Sequence, residues 1–356
     1  MKTLDRYLLF RMTTTLLQAL VALSLVYVFI DLFTHRLVDI RKYNVPSDVV
    51  IQYYLNFLPS VIQRVAPFSL LISALLVLGD AAQHNEVTAV TASGISLRRF
   101  VRMPIVLSMV FAGGQFVLNE TWGTSAAVEA EHIDRNYFSL SDPRDRRGRT
   151  WSNLEGGWTC NLEKFNRVAL TGEGVLMFAR EGDTIRQVRA RRMYWDENQR
   201  QWMLEDGLWC EISDVLLSRA IRRAPAPITE TPDALFALDK PAETKTAKQL
   251  KEDIVIASER NIPSARLQVD YYAKYSQPVL SFAMIWLAIP FAVRLRRGGL
   301  AIGFGTSVVI AITYMLVFSF TTGLGYAERI SPVAAAWSAN AVFLAAGMFM
   351  YWRTPT

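Results

Sequence analysis

Hydrophobic positions gather into six long runs, with one long mixed segment between the third and the fourth. A helix needs about 20 mainly apolar residues to cross the ~30 Å hydrocarbon core of a bilayer. Five runs meet this directly: Met12 to Leu32, Phe100 to Leu118, Ser276 to Val293, Leu300 to Thr322 and Pro332 to Trp352. The sixth, Val49 to Gly79, is longer. Its half from Val65 onward is strongly apolar, while its first half sets Gln52, Asn56, Gln63 and Arg64 among aromatic and aliphatic residues, as expected of one helix that continues past the bilayer. The pattern predicts a polytopic α-helical membrane protein with six transmembrane helices, three before and three after an inserted domain. The expected divisions are residues 1–120, 121–268 and 269–356.

Inside the insert, from Trp151 to Ser213, short segments rich in Val, Ile, Trp, Met and Tyr alternate with Gly, Asp and Asn, the signature of strands and turns. Val175 to Ala179, Ile185 to Trp195, Trp202 to Glu205 and Leu208 to Ile212 read as strands. Asp196 to Gln199 reads as a turn and Asp206-Gly207 as a hairpin turn. Alternation is clear at Leu208, Cys210 and Ile212 and imperfect elsewhere. The expected class is an antiparallel β-sandwich or open jelly roll. After the Pro-rich stretch Ala224 to Pro232, the spacing of Leu250, Ile254 and Ala257 predicts a helix over Lys245 to Arg260 leading into the fourth span. Cys160 and Cys210 both fall in this domain, as either a disulfide or two buried free thiols.

Composition sharpens this picture. The chain is 51% hydrophobic yet 20% charged, which fits membrane spans plus a polar domain. The net charge of +6 is spread at the ends of apolar segments rather than in a basic patch on a soluble module, so nucleic acid is not an expected partner. One set of span ends carries Lys2, Arg6 and Arg11, then Arg98, Arg99 and Arg102, then Arg294, Arg296 and Arg297, then Arg353. The other carries Arg36, Arg41 and Lys42 in one turn and Arg329 in the next. Because cations are retained on the inner side, both termini are expected in the cytoplasm and the insert outside. The basic stretch Met1 to Arg11 is followed by a span-length apolar run with no small-residue cleavage site, so it is expected to remain as a helix.

Arg64 is the sharpest anomaly, since a cation inside a span is costly. It is expected toward the outer side, where with Asp31, Arg36, Arg41 and Lys42 it forms a charged ring suited to the phosphates or carboxylates of an anionic lipid headgroup. Ordinary snorkelling, with local pairs such as Arg36 with Asp39, is the alternative. On the inner side, Asp80 to Ser93 reads as a short helix with Val87, Val90 and Thr91 on one face, stopped by Gly94, with Ser96 capping the third span. Glu86 on that element suits a partner's basic group or plain solvation. No metal-ligand spacing accompanies His84 and Glu86. The chain has neither a phosphate-cradling GxxxxGK[ST] loop nor a GxSxG elbow. No cofactor is expected on this chain, and any ATP must be used by a partner.

The architecture resembles the lipopolysaccharide-export permease family, LptF/LptG. Leu4-Asp5-Arg6-Tyr7, Pro67 to Gly79, Asn85-Glu86-Val87 running into Ala92-Ser93-Gly94-Ile95-Ser96, Trp195-Asp196 to Trp202, and Pro278 to Pro290 leading to Arg296-Arg297-Gly298-Gly299 carry the likeness in order along the chain. The opening LDRY and Asp31 at the end of the first span resemble the LptG branch more. The resemblance implies a non-catalytic permease of the bacterial inner membrane, paired with a second, LptF-like permease. A cytoplasmic ABC ATPase dimer (LptB-like) would drive lipopolysaccharide from the outer leaflet toward a periplasmic bridge (LptC/LptA-like). It also implies a coupling helix at about 80–95, with Glu86, Val87, Val90, Ser93 and Gly94 toward the ATPase, and places basic residues of the first two spans at the lipid. The chain departs from the family pattern at Pro59-Ser60, where a Lys is expected after the Pro and the cation comes instead at Arg64. Two other classes stay in view: a membrane receptor with an outer sensing domain, which needs a cytoplasmic output module, and a lipid-modifying enzyme, which needs acidic or His residues clustered at one membrane face.

Overall fold

The computed structural model describes residues 3–138, 149–151, 154–166, 169–181, 184–212, 216–232, 235, 240–259, 263–294 and 299–353. They form two compact units, one of residues 1–133, 242–250 and 265–356, the other of residues 134–241 and 251–264.

In the first unit the apolar runs become helices, four of them longer than hydropathy suggested, while the last, Pro332–Trp352, has the expected bounds. Helix α1 (Thr3–Asp31) passes through a π-helical turn at Leu32–Arg36 into α2 (Leu37–Tyr43). Asn44, left-handed at φ 48°, ends it, and Pro46 precedes α3 (Ser47–Gln83). His84 and Asn85, the latter at φ 58°, turn the chain into α4 (Glu86–Ala92). Gly94 at φ 83° leads to α5 (Leu97–Phe100) and α6 (Arg102–Leu118). A second π turn, Asn119–Gly123, joins α6 to α7 (Thr124–Ile133). After the insert come α8 (Ala247–Glu259), α9 (Ala265–Arg294), α10 (Gly299–Tyr326) and α11 (Pro332–Trp352). Six helices among the described residues are long and apolar enough to cross a membrane.

The short helix expected over Asp80 to Ser93 is therefore divided: Asp80 to Gln83 finish α3, and α4 starts at Glu86. Ser96 occupies the cap position of α5. Arg296, Arg297 and Gly298 lie outside the described residues.

Helices α3 and α9 are the most buried of the six. Leu70, Leu71, Leu75 and Leu78 of α3 pack with Met284, Ile285, Ala288 and Ile289 of α9 and with Leu8, Met12 and Leu16 of α1. Buried polar contacts fix the register. Ser73 Oγ donates to Met12 O at 2.9 Å. Tyr314 Oη donates to Asn340 Oδ1 at 2.8 Å, and the Asn340 amide donates to Ser276 O. Pro290 of α9 lacks the N–H that would bind Trp286 O. Gly347 of α11 packs onto that turn, where a Cβ would lie 2.8 Å from Trp286 C and 2.9 Å from Trp286 O.

The second unit contains one antiparallel sheet in sequence order: β1 (Arg149–Trp151), β2 (Thr159–Asn166), β3 (Thr171–Glu181), β4 (Thr184–Asp196), β5 (Gln201–Ile212) and β6 (Leu216–Pro225). Among the described residues the strands form one meander rather than two packed sheets. Its apolar face is closed by Leu154, Trp158, Ile228 and Leu235. The expected turn at Asp196 is present, with Asp196 Oδ1 accepting from the N–H groups of Asn198 and Gln199.

The Asp206-Gly207 hairpin is not formed: β5 runs straight through it, with Asp206 at φ 51°. The reason lies across the strands. Core-facing positions step by three rather than two on one row, from Leu162 to Phe165, Ala190 to Met193, Leu204 to Gly207 and Ile221 to Ala224. The sheet is creased along that row, and imperfect alternation in each strand is its trace in the sequence. Along the crease, Lys164, Glu173, Arg192, Glu205 and Arg223 are cross-strand partners of alternating sign. The edge strand β6, outside the expected sheet limits, is masked in the sequence by Arg219, Arg222 and Arg223.

Cys160 and Cys210 are free thiols. Cys160 pairs with Met177 and Cys210 with Gln187, whose own β3 partner is Phe178, so the two thiols point to opposite faces. They also lie three strands apart, about 14 Å at the spacing of neighbouring strands. Burial, assisted by Glu230, pushes the Cys160 thiol up to about 12.

Candidate functional site

The cations singled out in the first two spans lie on an aromatic seam. Tyr53 and Phe57 are four residues apart on α3 and their rings stack 5.5 Å apart, as i,i+4 spacing allows. Arg36, at the end of the π turn, donates from Nη2 to Tyr53 Oη at 2.7 Å, its guanidinium 4.8 Å from the ring centre. Tyr54 Oη donates to Asp31 Oδ2 at 3.1 Å. Further along the same face, Arg64 donates from Nη1 to Tyr27 Oη at 2.6 Å, and its guanidinium lies 5.9 Å from the Tyr27 ring and 6.0 Å from that of Phe57. Cation–π contact and hydrogen bonding thus hold both guanidinium groups. The structure brings Asp31, Arg36 and Arg64 together through Tyr27, Tyr53, Tyr54 and Phe57. Arg41 and Lys42 are exposed further along α2, with Lys42 over the Tyr43 ring.

A third element reaches this site. The segment 242–247, which precedes α8, is tied to three helices. Glu243 pairs with Arg64 Nη2 of α3. Lys274 of α9 donates from Nζ to Lys245 O and lies 3.6 Å from Glu120 Oε1. Glu120, in the π turn after α6, accepts from Ala247 N at 3.1 and 3.2 Å, satisfying an N–H at the start of α8. Gly123 sits against Gln63 beside the same site, where a Cβ would come 2.5 Å from Gln63 Nε2.

At the opposite end of α3, Arg11 of α1 pairs with Asp80 at 2.6 Å and donates to Tyr7 Oη at 2.7 Å. Tyr7 Oη in turn donates to Glu86 Oε1 at 3.3 Å, and Arg11 Nη1 lies 3.9 Å from the same oxygen. Glu86 at the start of α4 is therefore fastened to α1. On the same short helix, Val87 is buried against the core and Val90 packs on it, while Ser93 Oγ closes the end by donating to Val90 O.

The pattern described as lipopolysaccharide export system permease LptF/LptG matches residues 6–353. The chain belongs to that family. Two curated relatives, each named lipopolysaccharide export system permease protein LptG and both from strains of Escherichia coli, are 25% identical over 334 residues, covering 88% of this chain and 87% of theirs. The similarity favours the LptG branch, and with six candidate spans the permease is a multi-pass inner-membrane protein.

Several residues of the permease's site escaped the sequence reading. Tyr53 and Phe57 were missed, though they fall within a narrow arc of α3 with the expected Arg64, since offsets of 4 and 11 residues both return close to the same helix face. Their spacing was a usable signal. Glu243 lies 179 residues from Arg64, and nothing local to it marks the partnership.

Proposed function

We propose that this chain is the permease subunit of an ATP-driven exporter that takes lipopolysaccharide from the outer leaflet of the inner membrane and passes it to a periplasmic bridge. The carrying observation is the pair of aromatic-backed guanidinium groups, Arg36 and Arg64, a donor set matched to phosphate and carboxylate oxygens. On this reading both termini are cytoplasmic and the creased sheet is periplasmic, in keeping with the cation-rich ends. Arg41 and Lys42, exposed beyond Arg36, add a positive rim that attracts the anionic headgroup. The helix at Glu86 meets a cytoplasmic ATPase dimer, and Tyr7, Arg11 and Asp80 hand its movement to α1 and α3 through short charged contacts. A second, LptF-like permease completes the chamber. The chain itself does no chemistry; ATP is hydrolysed by the partner.

Purification from mild detergent tests the assembly: an ATPase and a second six-span permease are expected to accompany the chain, and isolation of the chain alone, without lipopolysaccharide, would overturn it. In the reconstituted complex, Arg64→Ala is expected to weaken lipopolysaccharide-stimulated ATPase activity. An unchanged response removes Arg64 from the site.

A further inference from the structure

We propose that Glu243 is a resident ligand of the headgroup site: a carboxylate on Arg64 that every incoming anion must displace, so that it sets the affinity an anionic lipid needs to hold Arg64. The inference rests on the proposed role of Arg64 as a headgroup contact. The geometry is that of an occupied anion site. One arm of the guanidinium is fixed by Tyr27, and the other holds Glu243 in the place where an incoming oxyanion would bind. The pair is open to its surroundings, with 42% of the Arg64 side chain and 53% of the Glu243 side chain exposed, so an incoming headgroup can reach both. Exposed ion pairs are weak, and Glu243 can leave without burying an unpaired charge.

Chemistry then sets the threshold. A phosphodiester headgroup brings one negative charge, no more than the carboxylate it must displace. A phosphomonoester brings about −1.5 to −2 at neutral pH and three strong acceptor oxygens, enough to compete for the fork. Glu243 therefore sets a threshold: it lowers the occupancy of every anion on Arg64 by the same factor, which a weakly held monoanionic phospholipid feels most and a lipid bearing phosphomonoesters overcomes. Displacement also frees one of the three ties on the segment 242–247; Glu120 and Lys274 keep their hold on the other two.

The test uses the intact permease complex in lipid nanodiscs and measures the affinity of lipid A carrying two phosphomonoesters and that of phosphatidylglycerol, each alone. Glu243→Gln is expected to tighten the binding of both lipids, about tenfold for phosphatidylglycerol, because the charged competitor that each must displace is gone. Glu243→Asp, which keeps the charge, is expected to bind both lipids much as the unmodified complex does, separating loss of charge from loss of packing. Arg64→Ala is expected to weaken lipid A binding, with no further change on adding Glu243→Gln. Unchanged affinities for both lipids in Glu243→Gln, with Arg64→Ala still weakening lipid A binding, overturn this inference and leave the headgroup site standing. If both variants bind as the unmodified complex does, the inference and the role of Arg64 fall together.

Discussion

Replacing both members of the Glu120–Lys274 pair is expected to cost much less than the sum of the two single replacements. Lys274 is 5% exposed, and its Nζ lies 3.6 Å from Glu120 Oε1. At an effective dielectric constant of about 20, unit charges at that distance attract by roughly 5 kcal/mol. Most of this offsets the dehydration of the two groups, so the pair contributes little over an apolar substitute, whereas stranding one charge costs about 3–5 kcal/mol. Glu120→Gln keeps an oxygen for Ala247 N and isolates the loss to the ion pair; Lys274→Met keeps the volume and strands Glu120. Each single variant is expected to lose about 3 kcal/mol in denaturant unfolding of the detergent-purified chain followed by tryptophan fluorescence. The double variant Glu120→Gln/Lys274→Met is expected to lose at least about 2 kcal/mol less than their sum. Costs additive within about 0.5 kcal/mol would refute the assignment of a coupled buried pair.

Gly347→Ala forces a methyl group against the backbone of Trp286 and Leu287, which cannot rotate away; a loss of about 1–3 kcal/mol from overpacking is expected in the same unfolding assay, and an unchanged midpoint would contradict the close approach of α9 and α11. Glu205→Lys places a cation between Arg192 and Arg223 on the crease and is expected to cost about 1–2 kcal/mol, whereas Glu205→Gln should cost less than half of that. Cys160 is expected to resist maleimide at pH 8 in the folded chain while Cys210 reacts. Because its folded thiol titrates near 12 rather than 9.0, Cys160 contributes stability that is fully present below pH 9 and is lost as pH rises toward 12. Cys160→Ser should flatten that alkaline slope in a pH series of unfolding midpoints.

Hydropathy located all six spans because burial of about 20 apolar residues is a local property of the chain. It found both ends of the last span, Pro332–Trp352, but missed those of the first, since Arg6, Arg11, Arg36 and Arg41 are poor membrane residues yet ordinary helix formers once backbone hydrogen bonds continue. The Asp206-Gly207 pair misled for a related reason: it is a good turn dipeptide in isolation, but the crease that sets its backbone is shared by neighbouring strands and leaves in any one strand only an imperfect alternation. Arg64 stood out because its charge was out of place locally. The groups that hold it, Tyr27 and Glu243, come from 37 and 179 residues away, and only the packed helices bring them together.

Photocrosslinking from position 57 tests the headgroup site most directly. With a photoactivatable residue replacing Phe57, beside Arg64, and a control replacing Phe320 on the exposed face of α10, the active reconstituted complex is expected to crosslink lipopolysaccharide from position 57 and to lose that product with Arg64→Ala. Crosslinking from position 320 but not from position 57, in a complex that still exports, would contradict a lipid site at the Arg36–Arg64 seam.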